Sequence, residues 1–363
     1  MHSLPMQINY KPIARIAPSH FYATVRCPHK LILAEAFDRR PLVPLSPNAY
    51  MGVVFHKLIE RITKGQIQEE TFNDEWEKEI KAKEDELRKE GIEFCLPLKS
   101  HIQNIGLKKI QIRNRLKARQ SPAATTTQAN EYNSEKWLQN EDGTVGGVVD
   151  LITKSGNTVI ISDFKTGKIT YDTIDEGGIL ISLVKEEYEY QLKLYAHLYY
   201  ITYKVYPNHL YLFDMNNKTI EVSFSPAECQ ALYNQATKIL QQINTAICKG
   251  DFEGLANRSV SNCTYCLYRP ACRFYYSWLL ENPGINDVTG QLIEINEFLN
   301  GNINITLNNN GNIFSVVEIN PNFGIEKKYK VGDMVSLYSL RHRNENTFLM
   351  NKYSCIYKYP ERE

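Results

Sequence analysis

The sequence predicts an α/β protein that ends in a small all-β region. Two runs rich in β-branched residues lie within residues 144–166, separated by Gly156 and Asn157, a dipeptide typical of a two-residue hairpin loop. Amphipathic helical patterns precede this hairpin, and a long one follows at about residues 185–203. From about residue 285 the chain shifts to short apolar runs rich in asparagine, isoleucine and glycine, which indicate a small barrel or sandwich.

The other elements follow from periodicity and capping signals. Residues 15–38 predict a helix with Ser19 as N-cap, and residues 50–64 predict a second helix. Residues 69–90 are dense in Glu, Asp and Lys, which indicates a solvated helix. Downstream, the runs HLYLFDM and KTIEVSF predict another strand pair, and residues 226–248 predict a helix.

Length and composition set only broad limits. A chain of 363 residues indicates about two domains, and 43% hydrophobic with 23% charged residues is ordinary for a globular protein. The net charge of +1 neither supports nor excludes nucleic acid as a partner, because a basic face can be offset by an acidic remainder. With no apolar leader and no run near the ~20 residues of a membrane span, we expect a cytoplasmic protein without membrane contact.

Two aspartates face each other in the predicted hairpin. With Gly156 and Asn157 as the loop, the register places Asp150 opposite Asp163, with Cβ atoms ~4.5–5.5 Å apart, and Lys165 on the same face two residues later. Like charges directly opposite one another destabilise a hairpin, so we infer a bound hard cation, Mg²⁺ or Mn²⁺. The alternative is a solvent-exposed polar hairpin, but the flanking residues are apolar, where an uncompensated charge is costly.

Asp150, followed by Asp163-Phe164-Lys165, resembles the core motif of the PD-(D/E)XK nuclease superfamily, with valine replacing the proline before the first aspartate. The resemblance implies a restriction-endonuclease-like fold, in which helices flank a mixed central sheet, and hydrolysis of phosphodiester bonds. Asp150, Asp163 and the backbone carbonyl of Phe164 would then bind Mg²⁺ or Mn²⁺, and Lys165 would assist the attacking water. Taken alone, this short pattern also occurs by chance.

Two further segments resemble the RecB-like exonuclease branch of that superfamily. Gly52 to His56 match its GxxxH motif, in which the histidine is a metal ligand. Gln191 to Tyr195 match its QxxxY motif and share a helical face, from which they could hold a phosphate or the catalytic lysine. Both have structural alternatives, since a lone helical histidine is usually structural and a tyrosine also fits a helix core. Glu135, near where relatives carry a glutamate, is assigned no direct role.

A tight cysteine cluster, Cys263, Cys266 and Cys272, follows these motifs. In a reducing compartment such spacing indicates a metal site, either a [4Fe–4S] cluster or tetrahedral zinc, and each needs a fourth ligand. Together with Cys27 in a Cys-Pro pair, the pattern resembles the iron–sulfur RecB-like nucleases, which include CRISPR-associated exonucleases and helicase–nuclease modules. The resemblance implies that Cys27 completes an iron–sulfur site; zinc with Cys27 or His29 is the alternative.

The resemblance covers roughly residues 15–280. It predicts a nuclease domain over residues 1–283, with its two ends joined by the iron–sulfur cluster. A small β-barrel domain, interpreted first as OB-like, would follow over residues 284–363. Such a barrel would suit single strands, because OB-folds bind them by stacking and a basic groove.

Residues 99–119 contain lysines and arginines but no acidic residue. Lys109, Arg113 and Lys117 lie four residues apart and therefore share one helical face. An ordinary solvated surface helix explains this pattern. The second interpretation is a stripe that contacts the phosphates of a nucleic acid.

Together these features predict a metal-dependent DNA nuclease, an exonuclease with single-strand or end preference. The resemblance implies work in DNA repair, CRISPR adaptation or antiviral defence, with DNA as substrate and a helicase or defence-system protein as partner. The alternative is a non-catalytic nucleic-acid-binding subunit in which the iron–sulfur cluster or zinc is structural. The intact aspartate–lysine motif and His56 favour catalysis, because a non-catalytic copy usually loses some of these residues.

Overall fold

The computed structural model describes residues 8–120, 131–174, 178, 180–214, 218–282 and 286–359. Contacts divide the chain into two compact units. The first, called here the hairpin unit, comprises Ile13–Val25 and Pro47–Thr245. The second, called the cysteine unit, comprises Met1–Pro12, Arg26–Ser46 and Ala246–Glu363. The predicted boundary after residue 283 falls outside the described residues, so the two-domain division stays a prediction.

The α-helices of the described residues are α1 (Pro18–Arg26), α2 (Pro28–Ala36), α3 (Pro47–Thr63), α4 (Phe72–Lys89), α5 (Ile105–Gln120), α6 (Glu186–Tyr203), α7 (Pro226–Lys249), α8 (Val260–Cys263), α9 (Arg273–Glu281) and α10 (Ile325–Lys328). The strands are β1 (Glu131–Gln139), β2 (Gly146–Ser155), β3 (Thr158–Phe164), β4 (Thr170–Ile174), β5 (Leu180–Val184), β6 (His209–Phe213), β7 (Thr219–Glu221), β8 (Val288–Glu297), β9 (Ile303–Asn309), β10 (Asn312–Ile319), β11 (Met334–Tyr338), β12 (Arg341–Asn344), β13 (Thr347–Leu349) and β14 (Cys355–Lys358). Among these helices, none has the length and apolar character needed to cross a bilayer.

A five-stranded mixed sheet forms the centre of the hairpin unit, in the order β1-β2-β3-β6-β7. Strands β1, β2 and β3 are antiparallel, β6 runs parallel to β3, and β7 is antiparallel to β6. Helix α6 lies in the crossover between β3 and β6 and packs against the sheet. The predicted mixed sheet with flanking helices is therefore confirmed.

Strand β3 lies in the middle of that sheet. It is buried almost continuously from Val159 onward, and the buried stretch includes Asp163. A strand that is covered on both faces is expected to be apolar along its length. The sequence of β3, TVIISDF, is mainly apolar up to Ile161 and then contains Ser162 and Asp163. The carboxylate of Asp163 therefore occupies a position where burial favours an apolar side chain.

The helix predicted over residues 15–38 is in fact two helices, and this prediction was wrong. Helix α1 begins at Pro18, so Ser19 lies within its first turn rather than at its N-cap. The chain is extended at Cys27, and α2 starts at Pro28. Proline has no N–H to continue the helix, and its ring disfavours helical backbone in the preceding residue.

Three strands of the hairpin unit were not predicted. Strand β1 has the polar sequence EYNSEKWLQ, which lacks an apolar alternation, and it is a strand because it pairs with β2 along its length. Strands β4 and β5, which lie between β3 and α6 in the sequence, form a separate two-stranded sheet. Their pairing depends on tertiary context more than on local pattern.

The cysteine unit contains a seven-stranded sheet in the order β12-β13-β10-β9-β8-β11-β14. Strand β9 shows the expected alternation of buried and half-buried residues, and its apolar side chains contribute to a core with those of β8, β10 and β11. The all-β character of this region is confirmed. The OB-like interpretation is not, since an OB-fold has five strands and this sheet has seven.

Candidate active site

The β2–β3 hairpin has the predicted register. Leu151 pairs with Ser162, so the next position brings Asp150 opposite Asp163. The charge of Asp163 contributes to the shifted pKa of Asp150, which requires the two carboxylates to lie close together. The pairing deduced from the Gly156-Asn157 loop is thus present in the folded chain between the turn and the Leu151–Ser162 pair.

Asp150 is an unusually weak acid in this setting. Burial, followed by the charge of Asp163, raises its pKa to about 7. The backbone N–H of Phe164 donates to Oδ2 of Asp150 at 2.9 Å, which acts in the opposite direction. A carboxyl that is hard to ionise beside a second carboxylate is the electrostatic situation that a bound cation relieves.

Asp163 is held between two side chains. Its Oδ1 accepts a hydrogen bond from Nε2 of Gln191 at 2.7 Å, and its Oδ2 lies 2.6 Å from Nζ of Lys165. Nζ of Lys165 also donates to Oε1 of Gln191 at 2.8 Å, which closes the triangle. The Lys165 ammonium does not approach Oδ2 with the geometry of a hydrogen bond. Oδ2 therefore receives no hydrogen bond from the described residues. A buried carboxylate oxygen is thus left with unused acceptor capacity.

His56 faces a cavity of about 260 Å³, called here the first cavity. It is lined by Val53, His56, Lys57, Glu60, Glu135, Asp150 and Phe164. Burial lowers the pKa of His56, and the charge of Asp163 only partly offsets this. The imidazole is therefore neutral near pH 7, which is the form that binds metal ions.

A family model for the PD-(D/E)XK nuclease superfamily matches residues 15–273, which include the hairpin, His56 and the Asp163–Lys165–Gln191 triangle. The chain belongs to the PD-(D/E)XK nuclease superfamily. Members are hydrolases that act on nucleic acid, and they generally use Mg²⁺ or Mn²⁺. The central prediction from the two aspartates and the lysine is thereby confirmed at the level of the superfamily.

Two solved structures resemble this PD-(D/E)XK protein at low sequence identity. A protein of Eubacterium rectale named "Putative exonuclease" is 9% identical, with a TM-score of 0.43 over 75% of this chain and 94% of its own. The protein SSO0001 is 13% identical, with a TM-score of 0.23 over 52% of this chain and 79% of its own. No curated protein matches the sequence. These comparisons do not assign the chain to the RecB-like branch.

The donor set of this nuclease suits a hard divalent cation, since it offers carboxylates and a neutral imidazole. In the part of the chain that the structure describes, however, no three His, Cys, Asp or Glu side chains converge as a ready-made metal site. Protein donors occupy Asp150 and Asp163 instead. Oδ2 of Asp163, which contacts Lys165 but receives no hydrogen bond, and the first cavity, which Asp150 lines, fit a cation that would replace the lysine contact.

The QxxxY pair of the nuclease divides into two roles. Gln191 holds Asp163 and Lys165, which matches the lysine-holding interpretation. Tyr195 is buried, and its hydroxyl donates to the carbonyl of Val148 at 2.7 Å. Gly147 permits this approach, because a Cβ there would lie 3.1 Å from the hydroxyl oxygen. Tyr195 therefore ties α6 to β2, as the structural interpretation of that residue expected.

Two glutamates lie closer to the site than the sequence indicated. Glu60 follows His56 by one helical turn, a spacing that could have revealed it. Glu135 belongs to β1, and its neighbours pair with the residues on either side of Asp150. Burial and the nearby Glu60 raise the pKa of Glu135, while Lys64 forms ion pairs with both glutamates.

Arg115 also lies beside the site, although no sequence motif assigned it a role. Its guanidinium stands 4.9 Å from the ring centroid of Phe164 and donates to the carbonyl of Asp214 at 2.7 Å. Burial lowers the pKa of Arg115 to about 10, so it is still a cation at neutral pH. The charge of Arg115 also lowers the pKa of His56.

The basic stripe predicted on α5 is partly engaged within the protein. The ammonium of Lys109 lies 5.7 Å from the ring centroid of Trp76, and Arg113 forms an ion pair with Glu69 at 2.8 Å. The side chain of Lys117 lies outside the described residues. Contact with phosphates by this stripe therefore stays a prediction, and the two described side chains also fit an ordinary surface helix.

The cysteines assigned to a cluster all lie in the cysteine unit. Burial raises the pKa of Cys263 and of Cys272, and the other thiols, Cys27 and Cys266 among them, add to the shift. They therefore share one neighbourhood, with Nδ1 of buried His29 3.7 Å from Sγ of Cys272. Yet no cluster-forming group is assembled among the described residues, so the iron–sulfur assignment is not shown.

Proposed function

We propose that this chain is a metal-dependent deoxyribonuclease of the RecB-like branch, an exonuclease that prefers single strands or ends. The observation that carries the proposal is the buried Asp163 carboxylate, held by Gln191 and Lys165 opposite Asp150. Such a pair beside a cavity lined by His56 supports metal-assisted hydrolysis. DNA repair, CRISPR adaptation or antiviral defence as the pathway, and a helicase or defence-system partner, stay predictions from the resemblance.

The residues divide the chemistry between them. His56, Asp150, Asp163 and the carbonyl of Phe164 would hold Mg²⁺ or Mn²⁺, which supplies Lewis acidity and a bound water of lowered pKa. Lys165 carries its charge beside Asp163 and would stabilise negative charge on the phosphate. The low solvent access of Asp163 strengthens these electrostatic interactions relative to those in open water.

Metal dependence on end-labelled DNA tests this proposal. We expect EDTA-treated protein to cleave neither single-stranded nor duplex DNA, and added Mg²⁺ or Mn²⁺ to restore cleavage. Asp163→Asn should lower the rate by about 10³-fold or more, because a metal ligand contributes several kcal/mol to the transition state. Asp85→Asn, which removes an exposed acid of α4, is the matched control and should cleave normally.

The products distinguish the finer statements. Release of short products from labelled ends, with circular DNA left intact, would support exonuclease action. Cleavage by Asp163→Asn at the wild-type rate would show that the assigned site is wrong. DNA binding without cleavage under any divalent cation would favour the non-catalytic subunit instead.

We also propose that Cys27, Cys263, Cys266 and Cys272 bind a [4Fe–4S] cluster, supported by their spacing and their mutual influence on thiol pKa. Anaerobically purified protein is expected to be brown, with a broad visible absorption band. Cys272→Ser should remove that band, while Cys229→Ser, at a buried cysteine outside the set, should retain it. A colourless protein that contains one zinc ion per chain would contradict the cluster and favour the zinc alternative.

A further inference from the structure

A second cavity, of about 570 Å³, lies in the hairpin unit next to the metal-site residues. Its wall includes Thr166, which directly follows Lys165, and Asn48 of α3. Asn48, Gly52 and His56 recur every four residues and so share one face of α3. Asn48 lines the second cavity and His56 the first, and these two residues are separated by about 12 Å along the helix axis.

The second cavity is positively charged. Lys108, Lys168 and Lys218 line it, and Asp214 is the one acidic residue of its described lining. Oδ1 of Asp214 accepts the backbone N–H of Lys218 at 2.8 Å, so this acid is used within its own loop. Lys168 pairs with Asp172 at 3.2 Å, and both side chains are more than half exposed. Such surface pairs contribute little, so a phosphate can replace Asp172 at small cost.

The β4–β5 hairpin begins at this cavity, since Thr170 is both a lining residue and the start of β4. Its cross-strand partners Tyr171 and Leu183 are 42% and 41% exposed on one face, and the partners Ile174 and Leu180, on the opposite face, are 67% and 71% exposed. In the described residues these two strands pair only with each other. A two-stranded sheet with apolar side chains in water is marginally stable, which indicates that a ligand with apolar faces covers it.

We propose that the second cavity and the β4–β5 hairpin bind the single-stranded DNA that leads into the active site. The lysines contact successive phosphates, while Tyr171 and Leu183 contact the faces of unstacked bases. In duplex DNA the base faces are stacked inside the helix, so they are not accessible to Tyr171 and Leu183. This inference rests on the proposed function, because it explains a strand preference of the same hydrolytic site.

Equilibrium binding to a fluorescein-labelled single strand, without divalent cations so that no cleavage occurs, tests the lysines. The variant Lys108→Ala/Lys168→Ala/Lys218→Ala should bind the single strand at least about tenfold more weakly. The plot of log Kobs against log salt concentration should become less steep. The magnitude of its negative slope should decrease by about 2, at ~0.7 for each lost phosphate contact. The control Lys81→Ala/Lys89→Ala/Lys154→Ala removes exposed lysines that do not line the cavity and should change neither quantity.

The hairpin is tested by comparing single-stranded with duplex DNA. Tyr171→Ala/Leu183→Ala should lose about tenfold in affinity for the single strand and less than about twofold for the duplex. Tyr171→Phe retains the ring and should bind normally. Ile313→Ala/Val331→Ala, at exposed apolar residues of the cysteine unit, is the control for loss of surface apolar area.

Hydrolysis of bis(p-nitrophenyl) phosphate, a diester too small to reach the hairpin from the metal site, reports on the active site alone. Its rate should be unchanged in the lysine variant, in the hairpin variants and in their controls. Wild-type affinity for the single strand in both the lysine and the hairpin variants would overturn this inference and leave the nuclease intact. Equal losses for single strand and duplex in the hairpin variant would overturn the contact with bases. An inactive wild-type protein would instead contradict the proposed function.

Discussion

Replacing Asp150 by asparagine is expected to reduce DNA cleavage by about 10³-fold or more and, at pH 8, to stabilise the metal-free protein. The loss of activity follows because asparagine cannot supply the anionic oxygen that a divalent cation requires. The gain in stability follows because Asp150 is partly buried opposite Asp163, and these two effects raise its pKa to about 7. The side-chain oxygen of the asparagine can still accept the N–H of Phe164.

The sign of the pH dependence follows from linkage. The pKa of Asp150 is about 7 in the folded chain against 3.8 for an unperturbed carboxyl, so the folded state binds the proton more tightly. Ionisation therefore opposes folding, by an amount that grows from about pH 4 to about pH 7 and is then constant. Asparagine removes this penalty, which is on the order of a few kcal/mol.

Thermal unfolding in EDTA at pH 4 and pH 8 measures this effect. Asp150→Asn should melt above the wild-type protein at pH 8 and close to it at pH 4. Asp85→Asn changes an exposed surface pair and should melt like the wild type at both values. If Asp150→Asn is less stable than the wild type at pH 8, ionised Asp150 does not oppose folding.

Replacing Lys165 by methionine is expected to have the opposite effect on metal-free stability while also impairing catalysis. Lys165 neutralises Asp163, and both side chains are largely withdrawn from solvent. Removal of one partner leaves the other charge buried and unpaired, which destabilises a protein by about 3–5 kcal/mol. Loss of the Lys165 ammonium, which would stabilise the charge of the phosphate, should lower the cleavage rate by about 10²–10³-fold.

Added Mg²⁺ provides the sharpest check on Lys165→Met. A cation at Asp163 replaces the missing ammonium, so Mg²⁺ should raise the melting temperature of this variant more than that of the wild type. Lys81→Met, at an exposed lysine of α4, is the control and should show the wild-type response. An equal response to Mg²⁺ in variant and wild type would mean that the cation does not bind at Asp163.

The sequence by itself determined the hairpin, its register and the residues it places together. The Gly156-Asn157 loop fixes which residues pair, because the side-chain period of a strand is two and a two-residue turn allows one alignment. Asp150, Asp163 and Lys165 could therefore be located from local chemistry alone. The helix that carries Gln191 was likewise predicted from its periodicity, whereas the mixed sheet was predicted from the resemblance to the superfamily.

Only the tertiary structure decided what those residues contact. Gln191 and Tyr195 share one helical face, yet packing directs Gln191 to Asp163 and Tyr195 to the carbonyl of Val148. Strand β1 carries no periodic signal, and pairing with β2 alone brings Glu135 next to Asp150. A hairpin register depends on neighbours in sequence, whereas these contacts join distant segments and form only when the whole core packs.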